Sequence, residues 1–174
     1  HDKHFTYAEN INTHECRVPR LEFDWSSTRP PVNLDLWRPI SQSQASRRFP
    51  WTTIMTWHDF KGKLIYGDKE YKSKGFEFDK IIDLPEKVSA SFKIALGGKN
   101  RPIKRLEQSG WEVVNGPLIT ANPKQYFNYI SSSRGEISIA KNVYVDMNTG
   151  WFSERSTCYL ASGRPAVLQD TGFS

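Results

Sequence analysis

The chain has 174 residues, enough for one domain with its own core or for one domain plus a tail. Hydrophobic residues make up 37% of it, and no apolar run approaches the roughly 20 residues needed to cross a bilayer, which argues against a membrane-spanning protein. The net charge of +5 permits an anionic partner, such as a nucleotide or the surface of an acidic membrane in peripheral contact, but the scattered basic residues argue against nucleic acid.

Residues 1–50 are predicted to be mostly irregular. Arg29-Pro-Pro31 and Arg38-Pro39 oppose long regular elements, as does the polar Ser/Gln-rich run at 41–46. Only 32–37 alternates apolar and polar residues, which predicts a short edge strand. We interpret residues 1–50 as a linker or the end of a preceding domain, docked by its aromatic side chains.

From Trp51 onward, strand-like and helix-like patterns alternate. A hairpin is predicted at 63–71 around Gly67-Asp68, followed by a partly helical stretch at 73–83 that Pro85 ends. Helices are predicted at 100–109, 122–134 and 153–162. The predicted strands are 51–57, 91–96, 111–114, 136–140 and 166–169, the last of them buried.

This alternation predicts an α/β fold over 51–174, a Rossmann-like and mostly parallel sheet with flanking helices. Right-handed crossovers would place every strand-to-helix loop at one edge of the sheet, where ligands of such sheets bind. The loops concerned are 97–100, 115–121, 141–152 and 170–172. Gly97-Gly98 with Lys99 is a weak phosphate-loop signal because the fuller spacing of such loops is missing.

The segment from Thr149 to Gly172 carries the strongest functional signal. Gly150 would let the backbone approach a ligand closely, and Ser153 is placed to cap the first free N–H groups of a helix. Gly163 and Pro165 are typical of the end of that helix. A helix start at the ligand edge of a sheet predicts a phosphate site. The plainer alternative is a tight loop in which Trp151 and Phe152 fill the core and Ser153 is only a cap.

Several stretches resemble a bacterial glycosyltransferase-like family of the two-Rossmann-domain (GT-B) type. The final motif, Gly150-Trp-Phe-Ser153 followed by Gly163-Arg-Pro165, is similar to the donor-binding segment of such enzymes and is the most specific part. The stretches are RPPVNLDLW at 29–37, TTIMTW at 52–57, KSKGFEF at 72–78, SRGEISIAK at 133–141, GWFSERS at 150–156 and QDTGF at 169–173.

The resemblance implies that residues 1–50 lead out of an acceptor-side domain and that 51–174 form a donor-side domain, truncated at its C-terminus. The implied substrate is a nucleotide-diphosphate sugar, transferred to an unknown acceptor without a separate cofactor or a bound metal. The catalytic base would come from the acceptor-side domain. The predicted donor and diphosphate contacts are Lys141, Gly150, Trp151, Ser153, Glu154, Arg155, Ser156, Asp170, Thr171 and Gly172.

Three of these assignments have structural alternatives. Arg155 would pair with a diphosphate through its planar fork or lie as a solvated helix residue. Asp170 to Gly172 would line a sugar pocket or form a plain turn. Lys141 follows the fourth predicted strand at its ligand edge, whereas Glu136, at the opposite end, is interpreted as a surface or structural residue.

The chain departs from the family pattern at the donor ribose. In many of these enzymes a Glu lies five residues before the Gly-x-Pro glycine, with a second acid eight residues earlier. Here those positions are Cys158 and Gly150, and Glu154 is the nearest acid. The alternative function is therefore a non-catalytic Rossmann-like module that binds nucleotide weakly or not at all. A flavodoxin-like domain is the third, weaker interpretation.

The remaining signals concern compartment and metals. Cys16 and Cys158 are too few for a disulfide framework, and neither they nor the four histidines have the spacing of metal ligands. No signal peptide opens the sequence. We therefore expect a cytoplasmic protein.

Overall fold

The computed structural model describes residues 3–39, 48–58 and 63–174. The first of these ranges is mostly irregular, apart from a small parallel pair formed by β1 (His4–Thr6) and β2 (Trp25–Ser27). The predicted edge strand at 32–37 is wrong. The Asn33 side chain accepts hydrogen bonds from the backbone N–H groups of Asp35 (2.9 Å) and Leu36 (3.3 Å), and this closes a turn instead. The Ser/Gln-rich run at 41–46 lies outside the described residues.

The predicted strands of the main sheet all form, and they run parallel. They are β3 (Trp51–Thr56), β6 (Phe92–Gly97), β7 (Trp111–Asn115), β8 (Gly135–Ser138) and β9 (Ala166–Leu168). Their order is β7-β6-β3-β8-β9. Strand β3 is therefore central, with β6 and β7 on one side of it and β8 and β9 on the other. The prediction of an α/β fold with a parallel sheet and flanking helices is confirmed.

Short helices connect the strands. After the predicted hairpin of β4 (Leu64–Tyr66) and β5 (Lys69–Tyr71) come α1 (Lys74–Phe78), a 3₁₀ turn (Asp79–Ile81) and α2 (Leu84–Lys87). The later helices are α3 (Ile103–Gln108), α4 (Gly116–Ile119), α5 (Pro123–Ser131), α6 (Asn142–Asp146) and α7 (Glu154–Ala161).

Several details differ from the sequence predictions. Pro85 lies in the first turn of α2, where its missing N–H costs nothing, so it begins a helix rather than ending one. Helices α4 and α6 lie within two predicted loops; the Asn115 side chain caps α4 by accepting from Leu118 N at 3.4 Å. Strand β9 lies at the edge of the sheet and is only half buried, with Val167 54% exposed, rather than fully buried.

Both faces of the sheet are covered, each by its own core cluster. Ile94 and Leu96 of β6 point into the larger core cluster, with Phe78, Leu106 and Trp111. Ala95, between them, points to the opposite face, where it meets a smaller cluster that includes Tyr129, Ile130 and Tyr159.

The segment before the sheet packs against this second face. The ring of Trp37 meets that of Tyr126 edge to face at 5.7 Å and lies 5.4 Å from that of Phe127. Across the described ranges, no helix has the length and apolar character needed to cross a membrane.

Gly135 tests how closely β8 is packed at the start of the strand. A Cβ there would collide with the Trp51 ring and lie 2.5 Å from the Pro165 carbonyl oxygen, so we expect Gly135→Ala to destabilise the fold by about 1–3 kcal/mol. Gly97→Ala, whose Cβ would make only ordinary contacts, is the matched control and should be neutral or slightly stabilising. Urea denaturation checks both variants, and equal stabilities would contradict the packing argument.

Candidate functional site

In the chain, β6 and β7 are added on one side of β3, and β8 and β9 are then added on the other side. The strand order therefore reverses between β3 and β8, and these two strands diverge toward their carboxyl ends. Strand β3 pairs with β6 along six residues, from Trp51 to Thr56. It pairs with β8 only at Trp51 and Thr52, opposite Gly135 and Glu136. A crevice therefore opens toward the carboxyl ends of β3 and β8, the position at which open parallel sheets bind ligands.

Arg155 of α7 fills the gap between the separating strands. Its guanidinium donates to Glu136 Oε1 (2.5 Å) and Ser138 Oγ (2.6 Å) on β8 and to the carbonyl oxygen of Ile54 (2.5 Å) on β3. One turn further along α7, the Tyr159 hydroxyl is hydrogen-bonded to Thr52 Oγ1 at 2.6 Å. One face of α7 thus connects β3 and β8 at the point where the backbone pairing between these two strands ends.

The Arg155–Glu136 ion pair is buried, which decides between the sequence alternatives for Glu136 and removes one for Arg155. Arg155 is 9% exposed, which excludes a solvated helix residue, and Glu136 is fully buried, so it is a structural residue and not a surface carboxylate. Burial lowers the pKa of Arg155, but the charge and hydrogen bond of Glu136 outweigh it and hold the pKa above its ordinary value. A diphosphate contact by Arg155 stays a prediction; each of its three guanidinium nitrogens already donates one hydrogen bond within the chain.

The start of α7 is capped as the sequence predicts. Ser153 Oγ accepts from Arg155 N at 3.2 Å, and Glu154 is exposed in the first turn. Ser156 is fully buried, and its hydroxyl has no hydrogen-bond partner among the described residues. It borders a cavity of about 10 Å³, also lined by Phe152 and Phe173. An anion at this helix start would meet the N–H groups, and the cavity beside the Ser156 hydroxyl has room for about one water molecule.

The loop before α7 is shaped by contacts within the chain. Gly150 has a φ of +69°, and a Cβ there would lie 2.9 Å from the Asn10 side chain. The close neighbour of Gly150 within the chain is Asn10, and a contact of Gly150 with a ligand stays a prediction. Gly150 N donates to Thr171 O (2.7 Å), and the buried Thr171 hydroxyl donates to Trp151 O (2.7 Å).

The Asp170–Gly172 segment forms a turn closed by its own side chains. The Asp170 carboxylate accepts from the backbone N–H groups of Gly172 (2.8 Å) and Phe173 (3.2 Å) and from the Ser174 hydroxyl (2.7 Å). These contacts favour the plain-turn alternative for Asp170. A role in a sugar pocket stays a prediction.

Lys74 is the residue that the sequence analysis missed. It is the first residue of α1, and its ammonium lies 5.3 Å from the centre of the Trp151 ring. Trp151 precedes Ser153, the N-cap of α7, by two residues. The only sequence signal for this position was the Lys74-Gly75 pair, which precedes the apolar residues Phe76 and Phe78. Gly75 lets α1 reach the carboxyl end of β3, because a Cβ there would lie 2.6 Å from the Trp57 indole.

A cavity of about 500 Å³ lies beside Lys74, at the carboxyl ends of β3, β6 and β7. Glycines form much of its wall, so a ligand could approach the backbone closely. Its lining residues are Ile54, Met55, Thr56, Lys74, Ala95, Gly97, Gly98, Gly116, Pro117, Thr120 and Arg155. Lys99 lines a neighbouring cavity instead, together with His58 and Ser73.

Lys141 precedes α6, and its ammonium lies 5.8 Å from the centre of the Tyr144 ring. The diphosphate contact by Lys141 stays a prediction.

A buried carboxylate, Glu77, holds α1 against the ends of β8 and β9. It accepts hydrogen bonds of 2.7 Å each from Lys80, Asn142 and Gln169. Burial raises the pKa of Glu77, but these hydrogen bonds outweigh burial and keep the pKa below its ordinary value of 4.5. The position of Lys74, three residues earlier on the same helix, depends on this anchor.

The described part of the chain contains no group of three or more His, Cys, Asp and Glu side chains that could hold a metal ion. Comparison with protein-family models, with curated proteins and with solved structures gave no match to this chain.

Arg155→Met should destabilise the fold by about 3–5 kcal/mol, because it leaves the Glu136 carboxylate buried without its partner. Adding Glu136→Gln should recover part of the loss. The control is Arg105→Met, whose ion pair with Asp79 is exposed and worth at most about 1 kcal/mol. Urea denaturation measures all three variants, and a cost for Arg155→Met no larger than that of the control would overturn this assignment.

Glu77→Gln should lower the free energy of unfolding at neutral pH by about 1–3 kcal/mol. Because the pKa of Glu77 is lower in the folded chain than in the unfolded one, its contribution is fully present above about pH 4.5 and is lost as the pH falls through the folded pKa. The difference between wild type and variant should therefore shrink below about pH 4.5. Urea denaturation at several pH values checks this, with Glu112→Gln, an exposed carboxylate, as control; a pH-independent difference would contradict it.

Proposed function

We propose that this chain is the donor-binding part of a glycosyltransferase of the two-Rossmann-domain type. In this proposal it binds a nucleotide-diphosphate sugar at the carboxyl edge of the sheet. The observation that carries the proposal is that the Lys74 ammonium lies 5.3 Å from the centre of the ring of Trp151, a residue of the loop that leads from β8, where the strand order reverses, to the capped start of α7.

The topology supports a nucleotide as ligand. Numbered by their succession in the chain, the five parallel strands are ordered 3-2-1-4-5, which is the order of the first five strands in the dinucleotide-binding Rossmann sheet. In that fold the pyrophosphate lies at a helix start beside the reversal. Here the reversal lies between β3 and β8, and α7 leads from it to β9.

The charges around the crevice suit a diphosphate. The start of α7 carries the positive end of the helix dipole and free N–H groups, and Lys74 adds a full positive charge nearby. The glycine-lined cavity beside Lys74 has room for a further part of the donor. In sugar transfer the departing nucleoside diphosphate gains negative charge, so the same groups would stabilise the transition state.

A second candidate is a Rossmann-like module that binds nucleotide without catalysis. It is favoured by the side chains at the two positions where the family carries acids. Cys158 is half buried within α7, burial raises its pKa to about 11, and Gly150 has no side chain at all. Glu154 is exposed in the first turn of α7 and is the remaining acid for a ribose contact.

Calorimetric titration with UDP, GDP and their sugar conjugates tests the proposal. We expect at least one of them to bind the wild-type chain and Lys74→Ala to weaken that binding by about 10- to 100-fold, the effect of losing a hydrogen bond to a charged group. Lys104→Ala, which removes an exposed lysine on α3, is the matched control and should bind like the wild type.

Two outcomes separate the candidates. If none of these nucleotides binds the wild type or raises its Tm, nucleotide binding is excluded and both candidates fail. If a nucleoside diphosphate binds but its sugar conjugate does not bind and is not hydrolysed, the non-catalytic module is favoured over the glycosyltransferase.

A further inference from the structure

The N-terminal segment reaches across the fold to the loop that precedes α7. Asn10 N donates to Thr149 O at 3.1 Å, and the Asn10 side-chain amide donates to Asn148 O (3.2 Å) and Gly172 O (2.8 Å). An antiparallel bridge between Ala8 and Trp151 extends the contact. One residue of this segment therefore holds the loop before α7 and the turn after β9 together.

Two glycines of these segments lie close to Asn10. Gly150 and Gly172 both have positive φ, at +69° and +97°. A Cβ on Gly150 would lie 2.9 Å from Asn10 Cγ. A Cβ on Gly172 would collide first with the Asn148 side chain and would lie 2.8 Å from Asn10 Nδ2. Gly150 thus leaves room for Asn10, and Gly172 leaves room for Asn148 and Asn10 together, which points to a built contact rather than an incidental one.

The contact also has an electrostatic consequence for an anion. Backbone carbonyl oxygens carry partial negative charge and repel phosphate, and three of them in this region accept hydrogen bonds from Asn10. Trp151 and the Ser153 cap follow the held loop directly, so their positions depend on it. The segment that resembles a linker in the sequence in this way supports the loop that leads into α7.

We propose that Asn10 is a positioning residue for the anion site at the start of α7, an inference that rests on the proposed function. It does not touch the diphosphate in this proposal. It fixes the 148–153 loop and the 170–172 turn relative to one another, so that the helix start and Lys74 face the same ligand.

The test compares binding of the phosphate part and the nucleoside part of the donor. UDP, GDP, inorganic pyrophosphate, uridine and guanosine are titrated into the wild type and Asn10→Ala well below the Tm of each. We expect the affinity of the variant for pyrophosphate and for the bound nucleoside diphosphate to fall by about tenfold, with nucleoside affinity unchanged. A purely structural role would lower the Tm and leave the affinities of the folded protein unchanged.

Asn12→Ala is the matched control, since the Asn12 side chain donates only to Trp25 O at 2.8 Å, within the N-terminal segment itself. If Asn10→Ala does not fold, Asn10→Leu takes its place; it keeps the approximate size and the backbone N–H and loses both amide donors without adding a charge. Unchanged diphosphate affinity, or an equal loss for nucleoside, overturns the role of Asn10 while the proposed function stands. Absence of any nucleotide or pyrophosphate binding by the wild type overturns both.

Discussion

The arrangement of the whole sheet depends on the guanidinium of Arg155, which lies between two diverging strands, β3 and β8. A parallel sheet that grows first to one side of a central strand and then to the other must open a gap where the two halves meet, and the polar backbone groups in that gap need partners. Arg155 pairs with one of these backbone groups, the Ile54 carbonyl on β3, and its planar fork also reaches the side chains of Glu136 and Ser138 on β8. Glu136 in turn neutralises the charge, so neither group is buried alone.

This arrangement explains why the start of α7 lies where it does. Arg155 and Tyr159 are four residues apart and share one face of the helix, and both reach alternate residues of β3, Ile54 and Thr52. The helix is therefore fixed to the central strand along its length. Its first turn, with Ser153 and the buried hydroxyl of Ser156, is held at the carboxyl edge by core contacts rather than by the loop alone.

The sequence was sufficient for the elements that have strong local signals. β-Branched and aromatic runs located the five strands, and Asn122-Pro123 and Ser153 located the starts of α5 and α7. It was insufficient where a contact between distant residues decides the outcome. The 32–37 alternation is typical of a strand, yet the Asn33 side chain closes a turn there. The spacing of Glu136 and Arg155 in the sequence likewise does not predict that they form a buried ion pair.

The same limit applies to the site. Gly150 and Gly172 were identified because glycine signals an unusual backbone, but the residues that crowd them, Asn10 at Gly150 and Asn148 with Asn10 at Gly172, have no local signature. Lys74 was overlooked because a lysine at the start of a short helix is common in surface helices. Only the packing of Gly75 on Trp57, which brings α1 to the end of β3, places its charge at the crevice.

The link between Asn10 and Gly172 also constrains how the chain folds. Its two residues are 162 positions apart, so nearly the whole described chain must be ordered before the bond forms. Closing so long a loop carries a large entropic cost, and contacts of this separation form late in folding. During synthesis the 148–153 loop would stay without this contact until Gly172 has left the ribosome.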